Sequence, residues 1–126
     1  MKERIESAGA PIPIGPYSQA IAVEGLLFCA GQGPFDPQTK QLVSGAIAVQ
    51  TEQSLENLGA ILDAAGLGYG DVVKTTCYLA DMDDFVAFNE VYGRFFAEPY
   101  PARTTIQAAR LPLDIAVEIE AIAVRR

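Results

Sequence analysis

The most informative absence in this 126-residue sequence is histidine, which does not occur at all. Histidine is the commonest general base in enzymes and the commonest protein ligand for metal ions. Its absence excludes a Ser-His-Asp or Cys-His catalytic arrangement. The only two cysteines, Cys29 and Cys77, cannot form a zinc site alone, and each lies in an apolar stretch typical of a buried strand. We expect two buried free thiols, with a disulfide between them as the alternative.

Positive charge is also scarce, since 9 lysines and arginines stand against 16 aspartates and glutamates and give a net charge of −7. A nucleic-acid-binding protein needs a basic surface to neutralise phosphates, so we expect no nucleic-acid partner. No apolar stretch approaches the ~20 residues of a membrane span, and the first residues lack the apolar segment of a signal peptide. We therefore expect no membrane association and a cytoplasmic location.

Hydrophobic residues make up 50% of the chain and charged residues 20%, which is typical of a globular protein. The length suits one domain with a real core and is too short for two, so we predict a single domain over residues 1–126. Hydrophobic periodicity predicts the element order β-β-α-β-α-β-β. With only two helices and separate hairpins, the pattern favours an α+β sheet with both helices on one face.

Turn and capping signals set the expected boundaries. The first two strands form a hairpin that turns at Glu24 and Gly25. Ser44 is the expected N-cap of the first helix, and Gly66 follows its end. Asp81 or Asp83 is expected to cap the second helix. The last two strands are predicted around 104–110 and 115–125, as neighbours joined by a Leu-Pro-Leu-Asp turn.

The last predicted strand has two different faces. Its apolar side suits packing under helices and consists of Ile115, Val117, Ile119 and Ala121. Its other side mixes small, apolar and acidic residues, namely Ala116, Glu118, Glu120, Ile122 and Val124. A solvent face is usually more polar than this. The mixture indicates contact with another subunit, and an ordinary half-exposed sheet is the alternative.

Arg103 and Glu118 are the first candidate site residues. Arg103 stands at a strand start after Pro101, where its guanidinium can hold a carboxylate with two parallel hydrogen bonds. The alternative is a surface ion pair with Glu98. Glu118 could act as a base or orient water if it lies partly buried beside Arg103. Its alternative, shared with Glu120, is an interfacial salt bridge to Arg110 or Lys74.

Three further features are weaker candidates. Tyr17 in "IGPYSQA" either enters a site or anchors the N-terminal loop. Asn89 is a polar residue among apolar neighbours of the second helix, where its alternative role is a bond to a loop backbone. The "CAGQGP" stretch, which contains Ala30 and Gly31, offers backbone amides near a strand end and can form a nonspecific anion nest.

Taken in order, five stretches of the chain resemble the Rid family, the reactive intermediate deaminases also called the YjgF family. They are "IGPYSQA" at 14–20, "AGQGPFDP" at 30–37, "VQTEQSLENLGAILDAAG" at 49–66, "DVVKTTCYLADMDDFVAFNEVY" at 71–92 and "PARTTIQAARLPLDIAVEIEAIAV" at 101–124. Each stretch is weak alone, whereas the ordered combination is highly specific and covers nearly the whole chain.

The resemblance implies a chorismate-mutase-like α+β fold and a homotrimer whose active sites lie between subunits. It implies hydrolysis of small 2-imino acids, 2-iminopropanoate and 2-iminobutanoate, to 2-keto acids and ammonia. No metal or organic cofactor is implied. The imines arise from enamines that pyridoxal-phosphate enzymes release from serine or threonine. The alternative function is a non-enzymatic trimer that binds small carboxylates or acts as a chaperone. A ribonuclease label sometimes given to the family conflicts with the charge and the missing histidine.

The resemblance also assigns roles to residues. Arg103 is the arginine of the family's Pro-Ala-Arg motif and would bind the substrate carboxylate. Glu118 would position the hydrolytic water. Substrate-binding positions fall on Tyr17, Ala30, Gly31, Asn89 and Thr105. Two of these depart from the family pattern, since Ala30 stands where serine is frequent and Thr105 where cysteine is frequent, which bears on the preferred substrate.

Overall fold

A six-stranded mixed sheet with two helices on one face forms the molecule, and the computed structural model describes residues 1–125. The strands are β1 (Glu3–Ile5), β2 (Ala20–Val23), β3 (Leu26–Gln32), β4 (Val72–Leu79), β5 (Ala102–Gln107) and β6 (Val117–Val124), and the helices are α1 (Ile47–Ala64) and α2 (Phe85–Phe95). The strand order is β1-β2-β3-β6-β4-β5, and β4 and β5 run parallel. The predicted α+β sheet is confirmed, with β1 as an additional edge strand.

The β2–β3 hairpin turns at the predicted residues. Glu24 and Gly25 have φ angles of 48° and 82°, both in the left-handed region. Two successive left-handed residues form the tight turn whose twist matches that of paired strands. Glycine takes this conformation without steric cost, which explains why the turn falls at this position.

Helix α1 buries the stripe of leucines and isoleucine that its periodicity predicts. Leu55, Leu58 and Ile61 are fully buried against the sheet. The helix ends as expected at Gly66, whose φ of 77° lets the amide of Leu67 donate to the carbonyl of Leu62. The predicted N-cap at Ser44 is wrong. Ala46 holds that position without a side-chain cap, because the chain still turns through Gly45 before the helix begins.

The start of α2 differs slightly from the prediction. A single 3₁₀ turn over Met82–Asp84 precedes the helix. The side chain of Asp81 accepts a hydrogen bond of 2.9 Å from the amide of Asp83 and thus caps this turn. The Asp81 alternative is therefore confirmed, with the cap placed on the turn that leads into α2.

The position of β5 corrects one expectation with consequences for the site. β5 and β6 are not neighbours, because β6 runs between β3 and β4 while β5 pairs with the far side of β4. Every second residue of β6 is buried, whereas β5 has no fully buried residue. The more apolar strand therefore takes the central place, and the more polar strand takes the edge.

The hydrophobic core lies between the helices and one face of the sheet. Val117, Ile119 and Ala121 of β6 point into this core, as predicted. Cys29 and Cys77 are both buried and free, which confirms the expected thiols. Within residues 1–125, neither helix combines the length and apolar character needed to cross a bilayer.

Candidate active site

The predicted site residues fall into two groups on opposite faces of the sheet. Arg103 pairs with Thr75 of β4, whose hydroxyl lies 2.7 Å from that of Tyr92 on α2. Glu118 pairs with Tyr78 of the same strand. Thr75 and Tyr78 are three residues apart and so face opposite sides. Arg103 therefore faces the helices and Glu118 the open face, and the expectation that they lie side by side is wrong within one chain.

The first group forms the Arg103 pocket, a cavity of about 350 Å³ between α2 and the start of β5. Its lining residues are Asn89, Tyr92, Gly93, Tyr100, Pro101 and Arg103. The guanidinium carbon of Arg103 lies 4.7 Å from the ring centre of Tyr92 and 5.6 Å from those of Phe85 and Phe88. These cation–π contacts are not hydrogen bonds, so they leave the N–H donors of the guanidinium suited to a carboxylate.

Arg103 has no anionic partner among the described residues, 1–125. Among residues 1–125 no carboxylate oxygen lies within ion-pair distance of it, so the alternative pair with Glu98 does not form. Thr105 lies two residues further along β5, on the same face. The Oγ1 atom of Thr105 and the Oδ1 atom of Asn89 are buried and lack a hydrogen-bond partner in the described part of the chain. Such groups are rare in folded proteins. Because Asn89 lines the pocket, its unpaired oxygen marks the pocket as polar and incomplete.

The second group forms the Glu118 pocket, a cavity of about 380 Å³ that Glu118 lines on the other face of the sheet. Tyr17, Ala30, Gly31 and Glu118 all line it, so the structure brings these four predicted residues together. Tyr17 is 52% exposed, and its hydroxyl accepts a weak bond of 3.4 Å from the amide of Ile14. It therefore both lines the cavity and contacts the N-terminal loop.

A β-bulge places the backbone of β3 directly under Glu118. Cys29 pairs with Ala121 and Gln32 with Ile119, so β3 contains one more residue than β6 between these pairs. A Cβ atom on Gly31 would overlap the Glu118 carboxyl group, with Cδ only 2.7 Å away. Glycine therefore allows the Glu118 carboxyl group to lie against the backbone of β3, and a larger residue would displace that group.

The carboxyl group of Glu118 is half-buried, and no cation of residues 1–125 lies within ion-pair distance of it. Burial raises the pKa of Glu118 above its ordinary value of 4.5, and the negative charge of Glu120 raises it further. Glu120 accepts a hydrogen bond from the hydroxyl of Tyr78, which raises the pKa of Tyr78 to about 12. Glu120 is thus satisfied, whereas Glu118 remains free to act on a bound molecule.

Within one chain, the two glutamates form no salt bridge to Arg110 or Lys74 among residues 1–125, and a salt bridge between subunits stays a prediction. Arg110 pairs with Asp114, with 2.9 Å between Nε and Oδ1. The ammonium group of Lys74 donates instead to the hydroxyl of Thr104, at 2.9 Å. Neither cation reaches Glu118 or Glu120 in residues 1–125.

Two buried amide side chains hold the loops of the Glu118 pocket. The Nε2 atom of Gln19 donates to the carbonyl of Pro11 at 2.9 Å, and its Oε1 atom accepts from the amide of Ser7 at 2.7 Å. The Nδ2 atom of Asn57 donates to the carbonyls of Gly33 and Phe35, at 3.1 Å and 2.8 Å. Sequence reasoning missed both roles, although an amide on the apolar stripe of α1 is a signal that could have revealed Asn57.

The donor set does not suggest a metal site. Within residues 1–125, histidine, cysteine and carboxylate side chains form no group of three or more arranged to hold a metal ion. The chemistry available is that of one guanidinium, one half-buried carboxylate and nearby amide and hydroxyl groups.

Comparison with known proteins identifies the family of this chain. The family described as Endoribonuclease L-PSP matches residues 7–125. The chain belongs to this family. A RutC family protein of Pyrococcus horikoshii is 55% identical over 123 residues, which cover 98% of both chains. The human protein named 2-iminobutanoate/2-iminopropanoate deaminase is 47% identical over 121 residues, which cover 96% of this chain and 88% of the human one. The resemblance to the Rid family is therefore confirmed.

Among solved structures, Escherichia coli TdcF with bound serine is similar throughout. It superposes with a TM-score of 0.93 at 46% identity and covers 98% of this chain and 99% of its own. The chain is thus an Endoribonuclease L-PSP family member whose mixed sheet, helices and strand edges are those of its relatives. Its two pockets carry opposite charges on opposite faces, and each lacks a partner that the other could supply.

Proposed function

We propose that this protein hydrolyses reactive 2-imino acids, such as 2-iminopropanoate and 2-iminobutanoate, to 2-keto acids and ammonia. The observation that carries the proposal is the separation of Arg103 and Glu118 onto opposite faces, each in a pocket without its counter-charge. A 2-imino acid carries a carboxylate directly beside an electrophilic carbon, so it needs a cation and a water-orienting group close together. The name of the human relative and the serine bound to TdcF support this substrate class.

The two pockets meet when a second copy of the chain packs against the open face. That face exposes apolar side chains that a lone chain would leave in water, with exposed fractions of 37% for Leu26, 42% for Phe28 and 45% for Ile106. The two pockets differ, so a contact that joins one pocket to the other between copies is head-to-tail. Such a contact forms a ring when the rotation from one copy to the next closes. We propose the trimer that the family resemblance implies, with one complete site at each of its interfaces.

In the complete site, Arg103 of one subunit binds the substrate carboxylate through two parallel hydrogen bonds. Glu118 of the neighbouring subunit accepts a proton from a water molecule as the water oxygen bonds to the imine carbon. The resulting carbinolamine carries a hydroxyl and an amino group on the same carbon. Glu118 returns the proton to the nitrogen, and the C–N bond breaks to release ammonia. Glu118 then passes the hydroxyl proton to that ammonia, which gives the 2-keto acid and an ammonium ion.

The chemistry demands little beyond positioning, because a protonated imine is already electrophilic. Aligning the water and the imine carbon replaces a collision between free molecules by a step within one complex. The raised pKa of Glu118 suits this role, since a carboxylate that is easier to protonate is a better base for water.

Subunit complementation tests the proposal. Arg103→Ala and Glu118→Gln chains are each inactive in this scheme, because every site in either homotrimer lacks one half. Co-expressed in equal amounts, they form mixed trimers in which about a quarter of the interfaces combine two intact halves. We expect turnover of freshly generated 2-iminopropanoate to recover to about a quarter of the wild-type rate.

Two results would reject parts of this proposal. A mixed preparation as inactive as its parents, with trimers confirmed by sedimentation, would rule out a site shared between subunits. Wild-type protein that binds 2-keto acids without releasing ammonia from any imine would favour the alternative of a non-enzymatic carboxylate-binding protein.

A further inference from the structure

A second cavity, of about 250 Å³, adjoins the Glu118 pocket. We call it the side-chain pocket, and it is defined by Ile12, Ile14, Phe35, Lys40 and Leu113. The two cavities adjoin each other, since Ile14, Phe35 and Leu113 line both of them and form a shared wall.

The walls of the side-chain pocket are apolar and unusually exposed. Ile12 and Leu113 are each 65% exposed and Ile14 is 80% exposed, although all three are large aliphatic side chains. Apolar residues scattered singly over a surface need no explanation, but a cluster around a cavity indicates a binding surface. Lys40, at the rim, is the one charged side chain among the lining residues of this pocket.

Hydrogen bonds and backbone conformation fix the shared wall in place. Gln19 holds the carbonyl of Pro11, and Asn57 holds the carbonyl of Phe35, so neither loop depends on a bound molecule for its shape. Leu113 has a φ of 57°, a left-handed conformation that leucine seldom adopts. A strained residue that presents an apolar side chain to a cavity points to a role in binding.

We infer that the side-chain pocket receives the side chain of the 2-imino acid and selects branched or larger apolar side chains over a methyl group. The inference rests on the proposed function, because it takes the reacting carbon to lie beside Glu118. From there the substituent on that carbon faces the shared wall. The methyl group of 2-iminopropanoate leaves most of the cavity unfilled, whereas a polar side chain loses its hydration with few partners in return.

The test compares two imines, which an amino-acid oxidase generates in the assay from leucine and from alanine. Semicarbazide traps each imine, so hydrolysis by the protein is measured as competition with this trapping. We expect kcat/KM for the leucine-derived imine to exceed that for the alanine-derived imine about tenfold or more, the scale of discrimination by an apolar pocket. Leu113→Asn keeps the side-chain shape, Ile14→Thr keeps the branch at Cβ in a shorter side chain, and both make the wall polar. Asparagine also tolerates the left-handed backbone at position 113. Each should lower this ratio about tenfold.

Val86→Thr is the matched control, since Val86 is 71% exposed on α2 and lines neither pocket. It should leave the ratio at the wild-type value. Equal rates for the two imines in the wild type, or a loss shared equally by both imines in the two variants, would overturn the inference while the proposed reaction stands. Failure to hydrolyse either imine would instead remove the proposed function and this inference with it.

Discussion

Packed aromatic rings hold the Arg103 pocket, whereas hydrogen bonds from buried amides hold the Glu118 pocket. Arg103 lies against Phe85, Phe88 and Tyr92 of α2, and these rings belong to the core or pack against it. The Glu118 pocket is built from a bulge and from loops that Gln19 and Asn57 fasten. The Arg103 pocket is therefore held by side chains of the hydrophobic core, which also stabilise the fold. The Glu118 pocket is held by separate hydrogen bonds from side-chain amides to its loops.

The largest expected effect comes from removing the cation. Arg103→Ala loses a charge-assisted bidentate contact, so we expect kcat/KM for 2-iminopropanoate to fall on the order of a hundredfold or more. Arg103→Lys should recover little of this, because an ammonium is a point charge without the planar fork. The control is Arg94→Ala, an exposed arginine of α2 outside the pocket. A fully active Arg103→Lys enzyme would refute the bidentate role.

The close approach beneath Glu118 provides the next test. Gly31→Ala places a methyl group against the Glu118 carboxyl, which must move away from the bound water. A displacement of this size costs about a hundredfold in rate when the moved group positions a reactant. Gly70→Ala is the matched control, because a Cβ atom there meets no atom within 4 Å. If both alanine variants retain wild-type turnover, the position of Glu118 is not critical.

A pair of core variants compares the supports of the two pockets. Asn57→Leu leaves the carbonyls of Gly33 and Phe35 without their donor, at a cost of about 1–3 kcal/mol in unfolding free energy. Cys77→Ala removes a fully buried side chain beside β5 and costs about 1–2 kcal/mol. We expect Asn57→Leu to lower kcat/KM about tenfold through misplaced loops, and Cys77→Ala to stay within about twofold of wild type.

Denaturant unfolding and kinetics on the same preparations separate the two effects. Burial raises the pKa of Cys77 to about 11, so its thiol should also react slowly with alkylating reagents in the folded protein. An Asn57→Leu enzyme with wild-type kinetics, or a Cys77→Ala enzyme that fails as badly as Asn57→Leu, would remove the contrast between the two supports.

The smallest effect concerns stability and pH. Because the pKa of Glu118 is raised in the folded state, Glu118 stays protonated there over a pH range that begins near 4.5. In the same range the carboxyl group is already ionised in the unfolded chain. The free energy of unfolding therefore decreases as pH rises through this window. Glu118→Gln lacks this decrease, so it should be more stable than wild type at about pH 7.5 and equal to it near pH 4, below both pKa values.

Denaturant midpoints of the two proteins at both pH values check this expectation. Protonated Glu118 cannot accept a proton from water. As the pH is lowered, wild-type kcat/KM should therefore begin to fall at a pH above 4.5, the ordinary pKa of glutamate. A Gln variant that is less stable at both pH values would mean that the Glu118 charge is compensated by a partner in the assembly.

Much of the fold could be read from local signals. The Glu24-Gly25 turn, the end of α1 at Gly66 and the buried side of β6 depend on neighbouring residues and were predicted correctly. The position of β5 could not be predicted, because a connection after a strand can lead to either side of the sheet. The start of α1 was also misjudged, since Ser44 has capping chemistry but the chain is still turning there.

The sequence by itself determined which chemistry this protein has available. Without histidine, and with few basic residues, an arginine and a glutamate on strands were the strongest candidates, and the family motifs assigned them their roles. Only the tertiary structure decided that Arg103 and Glu118 face opposite sides of one sheet. Strand parity and strand order set that relation, because β4 lies between β5 and β6 and a shift of one residue reverses a side chain's face.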